Sequence, residues 1–149
     1  AGNPEEPLFA SALTTGVLVS PAFTNLLIPN SGSVSLYQVF HADREKEETF
    51  EIIREKHYPN SPTRLGALYL FQDVYSAHKA NEMWWQGKRH IYGVNIVLSH
   101  SQLLADSNWL NSKQENWESN AHSYFKGLQT DTPLLEVLLV GVANLGSVI

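Results

Sequence analysis

Cysteine is absent from the 149-residue chain. That removes a disulfide framework, a thiolate zinc site and a cysteine nucleophile. Basic residues are few as well: ten Lys and Arg stand against fifteen Asp and Glu, a formal charge of −5. Such a balance argues against a nucleic-acid surface or a polybasic membrane anchor, while leaving room for a local basic pocket. Long apolar runs are missing too. A membrane helix needs about 18 consecutive apolar residues, and the longest candidate, residues 8–28, is broken by Ser, Thr, Gly and Pro. The chain is therefore expected to be soluble.

Several catalytic signatures are also missing. The six histidines (His41, His57, His78, His90, His100 and His122) show no HExxH or other metal-ligand spacing, so no metal is expected. No GxSxG elbow supports acyl transfer, and neither a phosphate-binding glycine loop nor GxGxxG supports the ordinary nucleotide folds. No repeat or low-complexity tract occurs. The start, Ala1-Gly2-Asn3-Pro4, has no initiator Met and no basic n-region; it reads as a cut or processing boundary and not as a signal peptide.

What is present is a chain that is 43% hydrophobic and 17% charged, enough apolar material for one core and too short for two full domains. Residues 1–33 are rich in Ala, Ser, Thr, Pro and Gly and end in a turn cluster; they are expected to form an N-terminal extension packed on a domain spanning 34–149. In that domain, residues 36–40 predict a strand. Residues 45–56 predict a charged helix burying Phe50, Ile52 and Ile53, with Asp43 placed to cap it. A second strand is expected over 65–71, and a helix from Asp73 or Ser76 to about Trp85. The basic turn 87–90 leads to a strand over 91–98. Residues 103–109 suggest a loop or short turn, and 112–125 a helix with Trp117, Ala121, Tyr124 and Phe125 inward, ended by Gly127. Two strands, 134–140 and 142–148, are expected on either side of Gly141. The order implies an α+β fold, a mixed or antiparallel sheet flanked by helices.

Glu136 is the one charged residue between Pro133 and Ile149. Strand alternation puts it on the face of Leu134 and Leu138. An ionised carboxylate on such a face is costly unless it is paired or opens into a cleft where the charge is used. Arg64, after a Pro-containing loop, is either a solvated cation or a phosphate clamp. For Trp84 and Trp85, core packing is favoured over ligand stacking.

Three segments taken together resemble the ADP-ribosyltransferase fold: Leu36-Tyr37-Gln38-Val39-Phe40, Thr63-Arg64-Leu65-Gly66-Ala67-Leu68-Tyr69-Leu70-Phe71 followed by a helix, and Leu135-Glu136-Val137-Leu138-Leu139. With Asp106-Ser107-Asn108-Trp109 and the Tyr124-Phe125-x-Gly127 helix end, their order is similar to a small bacterial, uncharacterised-domain branch of that fold, over residues 34–149. The resemblance implies a split sheet with NAD+ as substrate in its cleft and Glu136 as the catalytic carboxylate, holding a ribose hydroxyl beside a forming ribosyl cation.

The resemblance further implies that Tyr37, Gln38, His41, Arg64 and Tyr69 contact the nucleotide, Arg64 at the pyrophosphate and Tyr69 stacked on nicotinamide or else in the core. Asp106 and Trp109 would shape the substrate side. The implied activity is mono-ADP-ribosylation of a macromolecule, a protein acceptor first, by a secreted or injected toxin or effector domain. Two alternatives stay open: an NAD+ glycohydrolase, and an inactive nucleotide-fold module serving as a binding or adaptor domain. Gln38, standing where family types carry His or Arg, and Gly66-Ala67-Leu68 in place of a Ser-Thr-Ser triplet favour the last of these.

Overall fold

The structure, a computed structural model, describes residues 7–29 and 44–149. The expected strand over 36–40, the Asp43 cap, and Tyr37, Gln38 and His41 lie outside the described residues. Within them the order is α1 (Pro7–Thr15), β1 (Val17–Val19), α2 (Pro21–Leu27), α3 (Arg44–His57), β2 (Leu68–Leu70), α4 (Val74–Trp85), β3 (Tyr92–Asp106), two short 3-10 turns (Ser107–Leu110 and Gln114–Asn116), α5 (Trp117–Phe125) and β4 (Leu135–Val148). This is an α+β architecture, and every described strand pair is antiparallel. No described helix is long and apolar enough to cross a membrane.

β4 is the spine of the sheet. β3 runs along one edge of it from Tyr92↔Val148 to Asp106↔Leu135. The other edge is shared end to end by β2, paired to residues 137–139, and β1, paired to residues 142–144. The N-terminal segment is thus built into the sheet through β1. Ser20 fastens it further: its Oγ caps α2 by accepting from the Phe23 N–H at 3.3 Å and also accepts from the Gly141 N–H at 2.9 Å.

One terminal strand replaces the two expected. β4 runs through Gly141 without a turn, because that residue bonds to Ser20 in the gap between β2 and β1 while pairing with Ser99 on β3. Its glycine is a packing requirement. A Cβ there would lie 2.0 Å from the Leu98 carbonyl oxygen, where β3 is bulged on both sides. The same irregularity hid the second half of β3. Residues 103–106, expected as loop, continue the strand, but the bulges interrupt the period-2 pattern after Leu98. The expected helix over 112–125 is shorter, its first turn being 3-10 and the α-helix starting at Trp117.

Alternation along β4 divides the core. Leu138 and Val140 face a larger cluster with Phe50 and Ile53 of α3, Ala105 of β3, and Ala121, Tyr124 and Phe125 of α5. Leu139 and Ala143 face a smaller one with Ala12, Leu18 and Leu68. Burying a side chain such as Phe50 or Leu138 contributes roughly 1.5–3 kcal/mol each, so the α3–α5 face dominates the hydrophobic stabilisation. On α3 the buried positions are Glu47, Phe50 and Ile53, three residues apart and on one helical face. Ile52, expected in the core, points away and is 62% exposed; at 100° per residue it stands about 200° around the helix from Phe50.

Candidate functional site

The chain folds Arg64, Tyr69 and Glu136 into one buried polar cluster on the α3–α5 side of the sheet. Glu136 is the second residue of β4 and, as alternation predicts, shares its face with Leu138. Arg64 arrives from the segment before β2, Glu47 from the buried face of α3, and Tyr124 from α5. Arg64 and Glu47 are each 2% exposed, Glu136 is 5% exposed, and Tyr124 is fully buried.

Arg64 is the hub. Its Nε and Nη2 donate to the two oxygens of Glu47 at 2.9 and 3.1 Å, the forked geometry that suits a guanidinium and a carboxylate. Its Nη1 donates to Glu136 Oε1 at 2.8 Å and to the Tyr124 hydroxyl at 2.6 Å. The Tyr124 hydroxyl in turn donates a hydrogen bond to the same Glu136 oxygen, at 2.6 Å. The guanidinium carbon lies 5.1 Å from the Tyr124 ring centre and 5.2 Å from that of Tyr69, and the Tyr69 hydroxyl donates to the Arg64 carbonyl.

The electrostatics follow from this packing. Burial by itself would lower the Arg64 pKa. The surrounding Tyr124, Tyr69, Glu136 and Glu47 outweigh it, so the guanidinium is held well above its ordinary value. Burial foremost raises the Tyr124 phenol; Arg64 opposes this while Glu136 and Tyr69 add to it, leaving the phenol well above its ordinary value and protonated at neutral pH. With both carboxylates ionised, Glu47, Arg64 and Glu136 carry a net charge of −1.

This geometry gives Arg64 a definite occupation. Its guanidinium is buried and bonded to protein groups, so it serves to hold Glu136 and is not presented to a pyrophosphate. Tyr69 stands partly buried beside it, engaged through both ring and hydroxyl.

Asp106 and Trp109 flank the cluster. Asp106, at the end of β3, is fully buried and accepts from the Asn108, Thr130 and Leu134 N–H groups and from the Thr130 hydroxyl, at 2.6 to 3.1 Å. Burial would raise its pKa. The bonds from Thr130, Asn108 and Leu134 override that and bring it below the ordinary aspartate value. The Trp109 indole N–H donates to the Leu128 carbonyl at 2.8 Å. Both residues thus tie down the loop that delivers the chain into β4 one residue before Glu136.

Two members of the cluster were not singled out by sequence. Glu47 sits in a run of charges that reads as a solvated face, and only its three-residue spacing from Phe50 and Ile53 marks it as inward. Tyr124 reads in sequence as a core residue, and nothing in the helical pattern marks its hydroxyl as a partner of Arg64 and Glu136. Trp84 departs from the expected core packing. It is 42% exposed, set against Trp85 and Phe71. Among the described residues no group of three or more His, Cys, Asp or Glu side chains is placed to hold a metal.

An antiparallel spine with α3 and α5 packed on one face and α1 on the other, and with a buried Glu-Arg-Glu cluster under α3 and α5, defines the class as an α+β domain. Residues 26–149 match the family model described as "Protein of unknown function (DUF2441)", and the chain belongs to that family. A search of curated proteins gives no match.

Proposed function

We propose that this chain is an NAD+-consuming mono-ADP-ribosyltransferase in which Glu136 is the catalytic carboxylate. One observation carries the reading. Both hydrogen bonds to Glu136, from Arg64 and Tyr124, fall on Oε1, and no hydrogen bond from a described residue reaches Oε2. A carboxylate fixed by one oxygen keeps the other oriented for an incoming donor, and a ribose hydroxyl is such a donor.

Cleavage of the nicotinamide–ribose bond sends the bonding electron pair to nicotinamide and leaves positive charge on the ribosyl carbon. The surplus negative charge of the Glu47–Arg64–Glu136 cluster suits that developing cation, and the rigid anchoring avoids reorganisation as it forms. The acceptor nucleophile then bonds to that carbon and loses its proton to solvent. A protein acceptor is the proposed target, and delivery as a toxin or effector domain is part of the same reading.

A second reading rests on the burial of Arg64. A guanidinium 2% exposed and bonded to four protein oxygens is also what a purely structural keystone looks like, and a structural keystone suits an inactive binding module. Incubation with labelled NAD+ and cell lysate separates the readings, with nicotinamide release and labelled acceptors followed by mass spectrometry. The transferase reading expects release and a labelled acceptor from the wild type, and at least about a hundredfold loss in Glu136→Gln with unchanged circular dichroism. Free ADP-ribose without a labelled acceptor assigns the chain to hydrolysis. No nicotinamide release from the folded wild type leaves the structural reading.

A further inference from the structure

The end of α4 carries a second feature, independent of the chemistry at Glu136. Trp84 is exposed, packs edge-on against Trp85 with ring centres 5.5 Å apart, and lies 6.1 Å from Phe71. After Trp85 the chain turns sharply. Gln86 has φ 54° and ψ 37°, and among the described residues it is the one non-glycine with positive φ. A side chain kept where glycine is favoured calls for a reason. Trp84, Trp85, Gln86, Lys88 and Arg89 together line a surface hollow of about 370 Å³.

The hollow is preformed. Asn81, buried on α4, donates through Nδ2 to the Arg89 carbonyl at 2.8 Å and accepts the Arg89 N–H at 3.1 Å. The Gly87 N–H donates to the Asn81 carbonyl and the Lys88 N–H to the Trp85 carbonyl, both at 3.0 Å. The Glu82 carboxylate lies against Gly87 and is not part of the lining. Two consecutive cations therefore border exposed indole surface in a chain whose net charge is −5.

We propose that this hollow is a nucleotide subsite. Its chemistry calls for a ligand with both a flat aromatic group and an anionic group. A nucleotide has both: its base stacks on Trp84, its phosphate pairs with Lys88 and Arg89, and the Gln86 amide, both donor and acceptor, serves a base edge. An acidic peptide carries ring and charge on separate, flexible side chains, whereas a nucleotide holds both in one unit. The nucleotide has two possible sources, a free dinucleotide such as NAD+ or the end of a single strand. Phe71, whose ring lies 6.1 Å from that of Trp84, directly follows Leu70, which pairs with Val137 on β4.

The test is AMP titration of indole-labelled protein by NMR. The chain has four tryptophans and so four indole N–H signals. Trp84 and Trp85 are expected to shift while Trp109 and Trp117 stay still. Trp84→Ala should weaken AMP about tenfold and Trp84→Phe less, since a phenyl ring still stacks. Lys88→Glu should weaken AMP but hardly affect adenosine. Tighter binding of NAD+ than of AMP assigns the free dinucleotide, and tighter binding of a short oligonucleotide assigns the strand. Unmoved Trp84 and Trp85 signals at millimolar AMP, or the same affinity in Trp84→Ala, overturns the proposal. A wild-type chain whose Trp84 and Trp85 signals respond to AMP but which releases no nicotinamide from NAD+ counts against the transferase reading alone.

Discussion

Arg64 reaches Glu136 through a single nitrogen, Nη1, 2.8 Å from Oε1, because its Nε and Nη2 are both engaged by Glu47. One cation thus serves two buried carboxylates, and the Tyr124 hydroxyl bridges the shorter side of the cluster. Such an arrangement costs desolvation of three charges and is maintained by the quality of its hydrogen bonds. It joins α3, the segment before β2, α5 and β4 at one point, so its contribution to stability can be tested apart from any activity.

Arg64→Met should destabilise the fold by about 3–5 kcal/mol, since it leaves two carboxylates in a dry site without a counter-charge. Adding Glu47→Gln and Glu136→Gln should recover much of that loss, because the penalty lies in the unpaired charges and not in the missing arginine. Urea unfolding of the single and triple variants measures both effects. A single variant within about 1 kcal/mol of wild type would show that the cluster is not structural.

Tyr124→Phe removes a donor to Glu136 and an acceptor for Arg64, and the expected loss at neutral pH is about 1.5–3 kcal/mol, the range for hydrogen bonds to charged groups. The pH dependence has a definite sign. The folded phenol is raised above its ordinary value, chiefly by burial, so the unfolded chain ionises first as pH climbs. The Tyr124 contribution is complete below about pH 10 and is lost as pH rises beyond it. Urea midpoints across that range should fall more steeply for the wild type than for Tyr124→Phe.

Asp106→Asn tests the clasp beneath the cluster. The folded Asp106 carboxyl lies below the ordinary value of about 3.9, its hydrogen bonds having outweighed burial. Its stabilisation is therefore present above that value and lost as pH falls through the lower folded one. At pH 7 the variant should be less stable by about 1–3 kcal/mol. The gap should narrow as pH is taken progressively below the ordinary aspartate value, as the wild type loses the same contribution. A gap of constant size across that range would place the effect in packing and not in charge.

The sequence made some of this legible and hid the rest for physical reasons. Glu136 stood out because a charge in a strand that is apolar on both sides is costly unless it is paired or used, and the structure pairs it with Arg64. The Asp73 cap and the Gly127 helix end followed from local chemistry, and both are present. Glu47 was concealed because helical burial depends on angle, and a single inward carboxylate in a charged run leaves composition unchanged. The continuity of β4 through Gly141 was equally hidden. A glycine that admits a neighbouring carbonyl is indistinguishable in sequence from one that makes a turn, and only the position of Leu98 on β3 separates the two.

Gln86→Gly separates stability from binding at the end of α4. Gln86 holds a left-handed conformation that costs a residue with a Cβ about 1–2 kcal/mol, and glycine adopts it without that cost. Glycine's greater freedom in the unfolded chain offsets part of the gain, leaving a net stabilisation of up to about 1 kcal/mol. The same change deletes the amide that lines the hollow beside Trp84 and Lys88. The variant should therefore unfold at higher urea and bind AMP more weakly. Greater stability with unchanged AMP affinity would mean that the Gln86 side chain does not contact the nucleotide. Lower stability would mean that its amide holds the turn together, and the reason for a non-glycine there would then be structural.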